Sequence, residues 1–135
     1  MSFDLPDITI DVTERVAPFF EALGRGVVLV QRCKACGDAT TYETTRCDTC
    51  QSDDLVGEEA SGTAKLVTWT VIDRPTHPAF NGIEPYVTGY VELAEGPWLP
   101  ARILIDRADL RPDLAVKLAP ATASNGTAYP AFAQA

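Results

Sequence analysis

The sequence is poor in the groups from which a self-sufficient active site is built. It has one histidine, His77, and so no Ser-His-Asp arrangement to complete around it. No glycine-rich phosphate loop of the P-loop or dinucleotide-binding kind occurs. No apolar run approaches the ~20 residues that cross a bilayer. The opening MSFDLPDITIDV has neither the basic start nor the apolar stretch of a secretory leader, so the expected location is the cytoplasm. Bases are scarce as well. Residues 1–60 hold twelve acids against five bases and residues 61–135 seven against six, for a net charge of −8. The first half would repel a phosphate backbone, and nucleic-acid binding needs clustered positive charge. The near-neutral second half leaves room for a small phosphorylated ligand.

What is present is one concentrated feature. All four cysteines fall in CKACGDATTYETTRCDTC (33–50), as two Cys-x2-Cys pairs ten residues apart. Disulfides are rare in the reducing cytosol, and a redox pair needs no second copy. Two such knuckles at hairpin spacing are instead a specific signal for zinc. Four thiolates, from Cys33, Cys36, Cys47 and Cys50, close the tetrahedral shell and leave no position for water or substrate, so the expected ion is structural. Gly37 suits the tight turn after the first knuckle, while Gln51 stands at the equivalent place after the second.

The 135 residues fit one domain, or one with a small appendage, able to bury about 68% of the extended surface. After an extended acidic lead-in, a short helix starts either at Thr13 as N-cap or with Pro18 at its first position, and ends at Gly24 or Gly26. Val16, Phe19, Phe20 and Leu23 crowd one side, which must pack on the same domain or on a partner. GVVLVQRC (26–33) reads as a strand delivering Cys33, and the residues between the knuckles as a hairpin of about five residues out and five back. QSDDLVGEEASG reads as a linker. Five strands then follow, at 63–73, 86–93, 98–105, 114–118 and 127–132, with AEGP turning the second into the third. In the first, Leu66, Thr68 and Thr70 alternate with Val67, Trp69 and Val71. Five strands in about 70 residues suggest a small Greek-key barrel of the OB-fold kind. The fold class is therefore mainly β: an N-terminal helix and zinc ribbon followed by a five-stranded OB-fold barrel.

Between the first two barrel strands, DRPTHPAFNGIEPY (73–86) packs Arg74, His77, Phe80 and Tyr86 among three prolines. Prolines reduce the entropy lost when a loop orders on binding. The loop is either a rigid barrel corner or a lip that meets a ligand or partner. The uncharged tail 118–135 is either a last barrel strand with a frayed end or a seal on a partner channel.

Taken together, APFFEALGRG, the two knuckles, SGTAKLVTWTVIDRPTHPAF, PYVTGYVELAEGPWLPARI, DLRPDLAVKL and YPAF resemble domain of unknown function family 35, over nearly the whole chain. The resemblance implies a rubredoxin-like zinc ribbon joined to an OB-fold, dividing the chain into 1–57 and 58–135. It implies a non-catalytic accessory subunit that binds acyl-CoA and/or completes the active site of a larger enzyme. The usual partners are thiolase-like enzymes or MaoC-like hydratases. Cys33, Cys36, Cys47 and Cys50 would be the zinc ligands. Lys65, Trp69, Arg74, His77, Phe80, Tyr86 and Arg102 are the candidates for contact with acyl-CoA or the partner, with cations for the coenzyme's phosphates and aromatics for its apolar arm. Two other functions compete. One is a single-stranded nucleic-acid module, with Trp69 and Tyr90 as stacking surfaces. The other is a lone acyl-CoA hydrolase or lyase using His77 as base.

Overall fold

The computed structural model describes residues 3–135, and its elements follow the expected order. A 3-10 turn at Glu14–Val16 leads into helix α1 (Ala17–Gly24). The start falls between the two expectations: Thr13 flanks the 3-10 turn without a side-chain cap bond, and α1 begins at Ala17, one residue before Pro18, whose missing N–H still costs no bond in the first turn. The helix ends in a Schellman arrangement, with Val27 N–H donating to the Ala22 carbonyl and Gly26 N–H to that of Leu23, both at 2.9 Å.

Strand β1 (Val28–Cys33) is the middle of a three-stranded antiparallel sheet, between β2 (Ala39–Thr41) and β3 (Leu55–Ala60). The ribbon departs from the expected five-and-five hairpin. Its outgoing residues pair with β1, and residues 42–46 return as turns and bends. Gln31 fixes that return by donating from Nε2 to the carbonyls of Thr41, Tyr42 and Thr44 at 3.1, 3.0 and 2.6 Å. The expected linker also contains a strand. Rich in Asp and Glu, it has little β propensity of its own. It is held by six residue pairs along the free edge of β1 and by the Arg32–Glu58 ion pair at 2.8 Å.

The remaining chain supplies β4 (Thr63–Ile72), β5 (Tyr86–Leu93), β6 (Trp98–Leu104), β7 (Ala115–Leu118), β8 (Ala121–Thr122), β9 (Ala128–Tyr129) and β10 (Ala131–Gln134). Five of them close a barrel in the order β10-β6-β5-β4-β7, which bears out the predicted architecture. The last barrel strand is shorter than the 127–132 run. Pro130 divides that run, because proline cannot donate to a ladder. Tyr129 before it pairs with Ala121, while Ala131 after it starts β10, parallel to β6 and antiparallel to β7.

The strict alternation predicted for β4 is also broken. A register shift between Leu66 and Thr68 moves Val67 out of step. Leu66 and, beyond the bulge, Trp69 and Val71 therefore pack against the core, with Thr68 and Thr70 on the other face. Leu66, Val87, Val91, Leu99, Ile103, Val116 and Phe132 fill the barrel and form one cluster with Phe19, Leu23, Val28 and Val30. The apolar face of α1 is thus buried within its own chain, against β1 and β9.

Candidate metal centre and barrel pocket

The two knuckles bring four sulfurs together. Each Cys-x2-Cys turn is closed by a backbone bond back to its first cysteine. Gly37 N–H donates to the Cys33 carbonyl at 2.8 Å, and Gln51 N–H donates to that of Cys47 at 2.9 Å. Both turns need a left-handed residue, at φ 86° for Gly37 and 66° for Gln51. The ligand atoms of Cys33, Cys36, Cys47 and Cys50 all lie within 4.8 Å of one another, with Sγ–Sγ separations of 3.6 Å for Cys33–Cys50 and 3.5 Å for Cys36–Cys47. A disulfide would need about 2.05 Å. Tetrahedral Zn–S bonds of about 2.3 Å put the sulfurs about 3.8 Å apart, which this cluster matches.

Electrostatics points the same way. Backbone N–H groups of Cys36 and Ala35, helped by the neighbouring thiols, lower the Cys33 pKa to about 7 against the opposing effect of burial. Cys36 is pulled down by the Asp38 N–H, yet its contact with Cys47, burial and the other two thiols push it up to about 12. Four thiolates this close need a cation to coexist, and the N–H groups aimed at the sulfurs supply the outer support such a centre uses. The four cysteines are positioned to hold a metal ion, with Cys33 and Cys47 buried and Cys36 and Cys50 at the surface.

A second site lies on the barrel. Leu99 and Ile103 of β6 point into the core, so Pro100 and Arg102 point to the opposite face of the sheet. The ladder sets Tyr90 beside Pro100 and Thr88 beside Arg102, with Thr68 and Thr70 next across. These residues floor a pocket of about 500 Å³. One wall is the 73–86 loop through Phe80 and Tyr86, whose rings stack at 5.0 Å. Another is the N-terminal segment through Pro6 and Ile8, and a third is Tyr129 and Pro130. The N-terminal segment is tied to the turn after β8. Ser124 N–H donates to the Ile8 carbonyl at 2.7 Å and its hydroxyl to Asp7, while Asn125 Nδ2 donates to the Ile10 carbonyl at 3.0 Å.

Of the predicted contact residues, Trp69, Phe80, Tyr86 and Arg102 meet at this pocket. Lys65 lies away from it, paired with Glu92 at 3.2 Å and near Asp113 at 4.0 Å. Arg74 and His77 are exposed on the loop. His77 caps the short 3-10 turn Pro78–Phe80, accepting from Ala79 N–H through Nδ1 at 3.0 Å, a structural use of the only imidazole. Tyr86 has its phenol pKa raised by burial, partly offset by Arg102, whose guanidinium carbon sits 6.0 Å from the ring centroid. Pro6, Ile8, Tyr129 and the floor threonines were missed by sequence reasoning. They come from distant segments with no local signature, and only the fold gathers them.

The chain matches two adjoining family models: the ChsH2 rubredoxin-like zinc ribbon domain over residues 20–56 and the ChsH2 C-terminal OB-fold domain over residues 57–119. It is 35% identical, over 95 residues, to a Thermomonospora curvata protein described as "Probable enoyl-CoA hydratase alpha subunit". That match covers 70% of this chain and only 28% of the relative's length. Among solved structures, it resembles a chain of the Ltp2-ChsH2(DUF35) aldolase with 30% identity and a TM-score of 0.78, covering 93% of this chain and 98% of that one. A DUF35 family protein of unknown function from Sulfolobus solfataricus shares the fold at 12% identity, with a TM-score of 0.66 over 92% of this chain and 87% of that one. Four gathered cysteines before a closed five-stranded barrel, matched across both domains, place the chain in the ChsH2 (DUF35) family of zinc ribbon and OB-fold proteins.

Proposed function

We propose that the protein is a non-catalytic accessory subunit that works in the cytoplasm beside a larger acyl-CoA enzyme, of thiolase-like or MaoC-like hydratase fold, and contributes to its acyl-CoA site. The observation that carries this reading is the match, over 98% of its chain, to a component of the Ltp2-ChsH2(DUF35) aldolase. The hydratase subunit matched over part of its length supports the same chemistry. In this reading residues 1–57 are a ribbon held by structural zinc on Cys33, Cys36, Cys47 and Cys50, and residues 58–135 are the barrel that meets ligand and partner. The ion would cross-link two turns and, with four protein ligands, supply no Lewis-acid position. The 73–86 loop would be the lip, with Phe80, Tyr86 and Trp69 offering apolar surface and Arg74, His77 and Arg102 polar contacts.

The inventory of groups supports a partner-dependent role. The single histidine is spent on a turn. Stacking on nucleic acid would require a basic groove, whereas Lys65 and Arg107 are engaged with Glu92 and Asp73. Co-expression with a thiolase-like or MaoC-like subunit from the same genome, followed by gentle size-exclusion chromatography, tests the reading. A stable complex with one of them is the expected result, and recovery of the chain alone from every pairing would overturn it.

A further inference from the structure

One side chain of the barrel pocket has no partner to explain its burial. Arg102 is only 7% exposed, and Nε, Nη1 and Nη2 are each buried without a hydrogen bond among the described residues. Its main chain is satisfied, with its N–H donating to the Pro130 carbonyl at 3.1 Å, so the unmet demand belongs to the guanidinium. Taking such a charge out of water is strongly unfavourable unless an anion meets it. The Tyr86 ring, 6.0 Å away, can offset only a part of that. Tyr129, whose hydroxyl is a second buried donor without a partner among the described residues, lines the same pocket. Tyr129 is joined to the site through its neighbour Pro130, the acceptor of the Arg102 N–H.

The character of the lining narrows the ligand. Phe80, Tyr86, Tyr90, Pro6, Ile8 and Pro100 are apolar or aromatic, and among the described residues no other Lys or Arg and no Asp or Glu lines the pocket. One fixed cation balances one negative charge. A phosphate monoester near pH 7 carries close to two, and a pyrophosphate more, whereas a carboxylate carries one and matches the planar fork of a guanidinium. A thioester carbonyl carries none. At about 500 Å³ the pocket is in the range used for small organic ligands.

We propose that this pocket is a binding site for a small organic monocarboxylate. Its carboxylate is held by the Arg102 guanidinium and the Tyr129 hydroxyl, and its apolar body lies against Phe80, Tyr86 and Ile8. The site goes beyond the accessory-subunit reading: it shares Phe80, Tyr86 and Arg102 with the contacts offered there, but carboxylate binding itself needs neither coenzyme A nor a partner.

Calorimetric titration of the full chain with octanoate, octanamide, octan-1-ol and inorganic phosphate tests the assignment. Octanoate should bind at least tenfold more tightly than the two uncharged analogues, and phosphate should not bind detectably. Arg102→Met should weaken octanoate binding roughly 10- to 100-fold while raising the melting temperature of the ligand-free protein, because it removes an unpaired buried charge. A merely structural arginine would lower it. Arg102→Lys and Tyr129→Phe give the same test in affinity should the methionine variant fail to fold. Equal binding of octanoate and octanamide, binding of phosphate instead, or no octanoate binding at millimolar concentration would each overturn the proposal. So would Arg102-dependent binding of a peptide C-terminus in place of octanoate, which would assign the site to a protein partner.

Discussion

Gln51 occupies a left-handed backbone position that the matching turn gives to Gly37. An L-residue with a side chain is strained there by about 1–2 kcal/mol, while glycine loses somewhat more entropy on folding. Gln51→Gly should therefore stabilise the metal-loaded protein by about 0.5–1 kcal/mol, read as a higher denaturant midpoint with unchanged metal content. Gly89 is demanding in the opposite sense. A Cβ added there would stand 2.3 Å from the Thr68 carbonyl oxygen and 3.1 Å from the Trp69 Cα, both backbone atoms that cannot swing aside. Gly89→Ala should cost about 2–3 kcal/mol, at the upper end for overpacking, and a melt of the variant checks it. The four cysteines and Gly37 were legible from spacing alone, because ligand chemistry fixes sequence intervals. The burial of Arg102 was not, since its cover comes from Pro6, Ile8 and Tyr129.

Among the elements, those with a strong apolar pattern were read correctly and those without one were not. Strands β5 and β6 alternate and are joined by a short turn, so their pairing could be anticipated. Strand β3 could not, because it exists by virtue of the edge offered by β1. The bulge in β4 was hidden for a related reason: Val67 is as β-prone as its neighbours, and only closure of the barrel sets it out of step. Part of the uncharged tail is built into the barrel, with β10 joining β6 to β7 and Phe132 fully buried. Phe132→Ala should lower stability by about 3–5 kcal/mol, measurable as a shift in the urea midpoint. Truncation before Ala131 should abolish cooperative unfolding, since it leaves β6 and β7 with unpaired edges.

For the whole molecule, the ribbon and barrel share a core through Val28, Val30, Phe19 and Leu23, so loss of a metal held by the four cysteines should be felt beyond the knuckles. Structural zinc supplies about 10–16 kcal/mol of apparent binding energy in small domains, comparable to the ~5–15 kcal/mol stability of an ordinary domain. Chelation, or Cys47→Ser, should melt β1–β3 and lower the barrel's melting temperature, as seen by hydrogen exchange of the two regions. The mainly β architecture and the family were legible because both follow from ordered motifs along nearly the whole chain. The partner and the acyl group were not, because no motif in the sequence specifies either. Steady-state acyl-CoA turnover, measured for this chain, for its partner enzyme and for the two mixed, is the most direct test of the account. It predicts no turnover by this chain alone and a rate for the mixture well above that of the partner alone. Turnover by the isolated chain, or a partner indifferent to its presence, would contradict it.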